Sequence, residues 1–92
     1  MNKISGLINI ARKAGYVIVG QDDLSGYAKK LYLILMDKNA GNSLSREMNY
    51  LSKKKGVPLF QIDDLGKLVS IENCKVLGIK NKAISENIIE CL

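Results

Sequence analysis

The sequence predicts an α/β fold, a three-layer α/β/α sandwich around a small mixed sheet of four strands. The stretch from Lys30 to Asp37 holds the longest unbroken apolar run of the chain, Leu31 to Met36. A run of this length is typical of a strand covered on both faces. Helical and strand-like patterns alternate on either side of it, which indicates a sheet between two layers of helices.

The first part of the chain predicts a helix followed by a short strand. Apolar residues recur at helical spacing over positions 4–11, with Asn2 as a candidate cap and Gly15 as a natural stop. The β-branched run at positions 16–19 then predicts a strand, which Gly20 ends.

Two further helices are predicted around the central strand. Gln21-Asp22-Asp23 offers capping acids for a second helix that runs to about Lys30, and Gly26 in its middle weakens that helix. A third helix begins at Asn42 and ends at Gly56, with apolar residues on one face.

The last third of the chain predicts two strands, each followed by a helix. Positions 57–62 form the third strand, and Pro58 near its start suits an edge strand or the beginning of a strand because proline lacks a ladder donor. Asp63-Asp64 is expected to cap a short helix. Positions 75–79 form the fourth strand, and positions 83–92 the closing helix.

The composition indicates one small globular domain spanning residues 1–92. Hydrophobic residues make up 47% of the chain and charged residues 25%, and the net charge of +5 favours a polyanionic partner. Cys74 and Cys91 form no CxxC pattern and the sequence contains no histidine, so neither a metal nor a cofactor is expected. The two cysteines suggest buried thiols in a reducing cytoplasm, and no signal peptide or membrane span is visible.

Catalysis is not expected from this sequence. The serines lie in no nucleophile elbow, and no dinucleotide or phosphate-binding glycine loop is present. Asp22-Asp23 and Asp63-Asp64 precede helical segments, where capping explains a carboxylate better than acid/base chemistry.

Binding is the better hypothesis, and three loops are its candidates. The first runs from Gly20 to Lys30, the second is Asp37-Lys38-Asn39, and the third is Ile71-Glu72-Asn73. Each also has an ordinary explanation: helix capping, a polar turn and a single exposed apolar residue. The run Lys53-Lys54-Lys55 is explained equally well by a helix C-terminus, whose dipole lysines complement.

In order and spacing, several segments together resemble the ribosomal L-seven-Ae / L-thirty-e superfamily of kink-turn RNA-binding proteins, and in particular its small bacterial YlxQ-like branch. The matching stretches are LINIARKAG (7–15), VIVG (17–20), KLYLILMD (30–37), KGVP (55–58), LGK (65–67) and VLGI (76–79). The resemblance implies a cytoplasmic, ribosome-associated ribonucleoprotein component that binds structured RNA, with ribosomal RNA as a candidate.

The family's recognition motif has the form Gly-x-Asn-Glu-x-x-Lys, and this chain keeps little of it. Gly20 matches the glycine and Gln21 the free position, whereas Asp22, Asp23 and Gly26 replace asparagine, glutamate and lysine. The motif therefore keeps its glycine and one carboxylate on a shorter stem.

The resemblance implies further RNA contacts outside the motif. Lys29 or Lys30 is a candidate for replacing the lost positive charge. Asp37-Lys38 is expected beside the RNA, and Ile71-Glu72-Asn73 against flipped-out nucleotides. The alternative hypothesis is a protein-interaction module on the same fold that has lost kink-turn recognition. The RNA-binding hypothesis depends on one premise, that the three loops meet on a single face that attracts anions.

Overall fold

A computed structural model describes residues 3–92 of the chain. It contains five helices and four strands in that range, and they alternate as the sequence predicts. The elements are α1 (Lys3–Lys13), β1 (Val17–Val19), α2 (Gln21–Gly26), β2 (Leu33–Asp37), α3 (Asn42–Lys55), β3 (Leu59–Ile62), α4 (Leu65–Val69), β4 (Val76–Ile79) and α5 (Lys82–Glu90). The predicted cap Asn2 lies outside the described residues.

The four strands form one mixed sheet in the order β1-β4-β2-β3. β4 is antiparallel to both β1 and β2, whereas β2 and β3 are parallel. All five residues of β2 are buried, so the central strand is covered on both faces as predicted. β3 is an edge strand, and Pro58 directly precedes it, in agreement with the expectation for a proline.

Alternate residues of β2 enter two separate cores, which confirms the three-layer sandwich. Leu33 and Leu35 pack with apolar residues of α1, α4 and α5 on one face. Ile34 and Met36 pack with apolar residues of α2 and α3 on the other face. This division follows from the two-residue period of side chains along a strand.

Two predicted boundaries around the central strand are wrong. The second helix ends at Gly26 instead of Lys30, because glycine is a poor helix former and the segment holds few apolar residues to compensate. Residues 27–32 are irregular, and β2 starts only at Leu33, although the Tyr32 amide still donates to the Ile79 carbonyl at 3.0 Å. The other boundaries differ from prediction by no more than two residues.

Candidate RNA-binding site

The three candidate turns meet at one end of the sheet. The Gly20 amide, just after β1, donates to the Val76 carbonyl at 3.1 Å. The Asp37 amide, at the end of β2, donates to the Lys75 carbonyl at 2.8 Å. Both turns are therefore fixed to the start of β4, beside the Ile71–Asn73 loop. We call this end of the molecule, with the turn after β3, the rim.

Two open grooves lie at the rim and share one wall, residues 71–75. The larger, of about 460 Å³, extends from this wall to Asp37 and Asp64. The smaller, of about 270 Å³, extends from the same wall to Gly20 and Gln21. The structure thus brings the first and third candidate loops together as opposite sides of one groove.

The turn at Gly20 depends on a backbone conformation that glycine alone adopts easily. Its φ of 98° and ψ of 153° lie in a region closed to residues with a Cβ atom. The Gly20 carbonyl accepts the Leu24 amide at 3.1 Å, which starts α2 directly from this turn. Gly20 therefore has a structural reason to match the family glycine.

Asp22 and Asp23 do not cap α2, so the capping interpretation is wrong. Both lie in its first turn, exposed, and the cap position is Gly20, which makes no side-chain bond. Gln21 instead donates its amide to Glu47 of α3, and the Ser25 hydroxyl donates to the same carboxylate at 2.5 Å. α2 is thereby tied to α3, and the carboxylates of Asp22 and Asp23 point to no partner within residues 3–92.

Asp37, which was expected beside the RNA, has a structural role in the turn after β2. Its side chain is 2% exposed. One carboxylate oxygen accepts the Asn39 amide at 2.7 Å, and the other accepts the Leu65 amide at 2.9 Å. The Asn39 amide in particular lowers the pKa of Asp37 below its usual value, although burial opposes this; the Leu65 amide and the charge of Lys75 lower it further.

The Asp37 carboxylate also corrects the prediction made for α4. Asp63-Asp64 was expected to cap this helix, but the Asp64 side chain makes no cap bond. The Leu65 amide in the first turn is satisfied instead by Asp37, 28 residues earlier. This long-range cap joins the end of β2 to α4.

The Ile71–Asn73 loop is a tight turn whose apolar residue is only half exposed. The Cys74 amide donates to the Ile71 carbonyl at 3.3 Å, and Asn73 takes a left-handed conformation with φ of 61°. Ile71 packs against the core below α4, so the expectation of an exposed apolar tip is wrong. Glu72 and Asn73 are exposed and free to contact a ligand.

The candidate lysines divide between the two ends of the molecule. Lys38 follows β2 and lies exposed at the rim. Lys29 and Lys30 precede β2 and therefore lie at the opposite end of this strand. The structure does not bring them to the Gly20 turn, and they do not replace the motif's missing lysine there.

Carboxylates outnumber lysines in the segments of the rim, which we therefore call acidic, contrary to the expectation that it attracts anions. Six carboxylates belong to its segments, against three lysines. The acids are Asp22, Asp23, Asp37, Asp63, Asp64 and Glu72, and the lysines are Lys38, Lys67 and Lys75. A phosphate group approaching the start of α2 would meet two aspartates first.

Three residues of the site and its support were missed by sequence reasoning. Glu47 holds α2 against α3 from the middle of a helix, where no local pattern distinguishes it from a surface charge. Lys67 and Lys75 line the larger groove. Lys75 could have been identified from the sequence, because it directly precedes β4 and the site was expected at the edge of the sheet where strands begin and end.

The described residues offer little for metal or thiol chemistry. Within positions 3–92, no three His, Cys, Asp or Glu side chains gather as a metal site. Cys74 is buried and burial raises the pKa of its thiol, while Cys91 is half-buried and also unpaired. In the same range, no helix combines the length and the apolar character needed to cross a membrane.

Comparisons with known proteins show the fold. No protein-family profile and no curated protein matches the sequence. A solved structure from Bacillus halodurans, of a protein with unknown function, matches 99% of this chain and 97% of its own with a TM-score of 0.84 and 16% identity. A 15.5-kDa RNA-binding protein of Giardia lamblia matches 96% of this chain and 80% of its own with a TM-score of 0.69 and 18% identity. The α/β sandwich is thus shared with a protein named for RNA binding.

Proposed function

We propose that this chain is an RNA-binding protein that recognises structured RNA with the rim. The observation that carries the proposal is the meeting of the Gly20 turn and the Ile71–Asn73 loop on one groove of about 270 Å³. The likeness to an RNA-binding protein supports it at the level of the fold. The sequence resemblance supports the finer assignment to the L-seven-Ae / L-thirty-e superfamily and its YlxQ-like branch.

The excess of carboxylates at the rim fails the premise that it attracts anions, so the proposal does not rest on phosphate contacts there. The chemistry of the rim suits the edges of unpaired bases better than phosphates. Asp22 and Asp23 are acceptors, and base amino groups are donors that a carboxylate can bind. Asn73 carries both donor and acceptor groups and can read an exposed base edge. Kinked RNA offers such edges because its non-standard and flipped-out bases are not hidden in a regular helix. We therefore propose kink-turn-like RNA as the ligand class, with ribosomal RNA as the candidate source.

A gel-shift titration with a kinked RNA and a straight duplex of equal length tests this proposal. We expect tighter binding to the kinked RNA. The variant Asn73→Gly keeps the left-handed turn and removes the amide, so it should weaken kinked-RNA binding by about tenfold, the effect of one lost hydrogen bond to a base. Equal binding of the wild-type protein to both RNAs, or no binding, would contradict recognition of kinked RNA.

The charge of Lys38 provides a second test of the rim. Lys38 is exposed beside the Asp37 turn, and charge reversal in Lys38→Glu should weaken RNA binding if a phosphate passes this side of the groove. The matched change Lys3→Glu makes the same charge reversal at an exposed lysine of α1 that lines neither groove. If both variants bind RNA alike, Lys38 is outside the interface.

We further propose that the protein is cytoplasmic, associates with ribosomes and acts without catalysis as a single binding domain. Crosslinking in cells followed by sequencing of the attached RNA would identify the ligand. Enrichment of ribosomal RNA is the expected result. Enrichment of other RNAs alone would exclude ribosome association and leave RNA binding intact.

One observation favours a second function, a protein-interaction module. The acidic rim repels phosphates and would suit a basic segment of a partner protein. A pull-down from nuclease-treated extract separates the two functions. Partners that persist after nuclease treatment and require Asp22 and Asp23 favour the interaction module, whereas their complete loss favours RNA binding.

A further inference from the structure

The end of the molecule opposite the rim is strongly basic. Three segments meet there: residues 27–32 before β2, residues 53–58 from the last turn of α3 to the start of β3, and residues 79–82 from the end of β4 to the start of α5. None of these segments contains an aspartate or a glutamate. Their seven lysines are Lys29, Lys30, Lys53, Lys54, Lys55, Lys80 and Lys82. We call this surface the basic end.

One of these lysines holds the basic end together. The Lys55 ammonium donates to the Tyr27 carbonyl at 2.9 Å and to the Lys29 carbonyl at 3.0 Å. Its nitrogen also lies 5.8 Å from the centre of the Tyr27 ring, and the Lys80 nitrogen lies 5.7 Å from the same centre. The C-terminus of α3, the irregular segment and the end of β4 therefore converge on Tyr27.

The other lysines are exposed or make only ring contacts. The Lys30 nitrogen lies 5.3 Å from the centre of the Tyr32 ring. The ammonium groups of Lys29, Lys53, Lys54 and Lys82 are exposed and have no hydrogen-bond or ion-pair partner among residues 3–92. The dipole of α3 accounts for lysines at positions 53–55. This dipole does not account for the lysines of residues 27–32 and 79–82, which lie at the same end of the molecule.

Seven like charges, none of which forms an ion pair within residues 3–92, repel one another, and a polyanion bound across them would relieve that repulsion. We propose that the basic end is a second RNA-binding surface, which contacts the phosphate backbone without reading sequence. The inference rests on the proposed function for its occupant. The acidic rim would then contact the bases of the RNA, and the basic end would contact its phosphates.

Tyr27 is a support for this surface and not a stacking platform. Two lysine nitrogens already lie within cation–π distance of its ring, which is half-buried. The ring thus orients Lys55 and Lys80. We expect backbone contacts here to be insensitive to base identity, since ammonium groups bind phosphate oxygens as point charges.

The test compares the salt dependence of RNA binding in two variants. The triple variant Lys29→Gln/Lys30→Gln/Lys54→Gln removes three exposed charges from the basic end. The control Lys3→Gln removes one charge from α1. Each lost phosphate contact lowers the slope of log affinity against log salt by about 0.7–0.9. We expect the triple variant to lower this slope by about 2, and the control to leave it unchanged.

The outcomes separate this inference from the proposed function. If the triple variant weakens kinked and straight RNA equally and keeps their affinity ratio, the second surface is supported. If wild-type protein binds kinked RNA and the triple variant keeps the wild-type slope, the inference is overturned while rim recognition stands. If wild-type protein binds no RNA but the triple variant loses binding to vesicles of phosphatidylglycerol, the basic end serves a membrane surface and both proposals fail.

Discussion

Asp37 shows how one residue can look functional in sequence and be structural in the fold. It ends the central strand, at the edge where α/β sheets place ligands, and its charge suggests contact with a partner. Its carboxylate instead accepts hydrogen bonds from the backbone amides of Asn39 and Leu65. The residue therefore shapes the rim from within, by holding the turn after β2 against α4.

Replacing this carboxylate should destabilise the protein. In Asp37→Asn, the side-chain amide group would face one of the two backbone donors, so a buried N–H would lose its acceptor. We expect a loss of about 1–3 kcal/mol in the free energy of unfolding. Urea denaturation measures it, and Asp63→Asn, an exposed aspartate in the turn after β3, is the matched control with a change below about 0.5 kcal/mol. Equal stability of the two variants would contradict the role of Asp37.

The same carboxylate gives the protein a sensitivity to acid. The pKa of Asp37 is lower in the folded protein than its ordinary value of 3.8, so the folded state favours the ionised form. This contribution to stability is complete above the ordinary pKa and is lost as the pH falls through the folded-state pKa. Denaturation at a series of pH values should therefore show a difference between wild type and Asp37→Asn that shrinks below pH 3.8. A difference that is constant with pH would contradict it.

At the scale of elements, α4 and the Ile71–Asn73 loop form one unit, because Gly66 lets their backbones touch. A Cβ atom at Gly66 would lie 2.9 Å from the Ile71 carbonyl oxygen and 3.4 Å from the Cys74 nitrogen. The Ile71 amide also donates to the Gly66 carbonyl at 3.0 Å. The position of the loop across the groove from Gly20 is thus set by a helix residue.

Gly66→Ala should move the loop and weaken the site. The atoms in the way are backbone atoms, which cannot rotate aside, so we expect about 1–3 kcal/mol of destabilisation. RNA affinity should fall in parallel if Asn73 contacts the ligand. Gly6→Ala within α1 is the matched control, because nothing lies within 4 Å of its Cβ, and it should stabilise the helix by about 0.5–1 kcal/mol. Thermal unfolding and gel shifts of both variants measure these effects. Unchanged RNA affinity in a destabilised Gly66→Ala would place the loop outside the interface.

For the whole molecule, the sequence was sufficient for the architecture and insufficient for the charge distribution. The apolar run at positions 31–36 predicted the buried strand because its period and length are local properties. The convergence of the three turns was a premise of the RNA-binding hypothesis, and the structure confirms it because both β1 and β2 end beside the start of β4. The role of Asp37, the bond between Glu47 and α2, and the placement of Lys29 and Lys30 depend on contacts between distant segments, which no local pattern reports.

The separation of charge between the two ends leads to a prediction about the whole surface. Asp22→Asn/Asp23→Asn removes two negative charges from the rim, and Glu86→Gln/Glu90→Gln removes two from α5 in the opposite helix layer. Removal of repulsion alone would raise affinity for any RNA. If the carboxylates also accept hydrogen bonds from base amino groups, the rim variant should bind a straight duplex more tightly and kinked RNA less tightly than wild type.

The ratio of the two affinities therefore decides what the aspartates do. We expect the preference for kinked RNA over the straight duplex to fall by about tenfold or more in the rim variant. This is the effect of losing one to two hydrogen bonds to bases. The α5 variant should keep the wild-type ratio, because it changes the net charge by the same amount without touching the groove. Fluorescence titration at a single salt concentration measures both ratios. An equal rise in affinity for both RNAs in the rim variant would mean that Asp22 and Asp23 only repel phosphate, and that the acidic rim works against RNA binding.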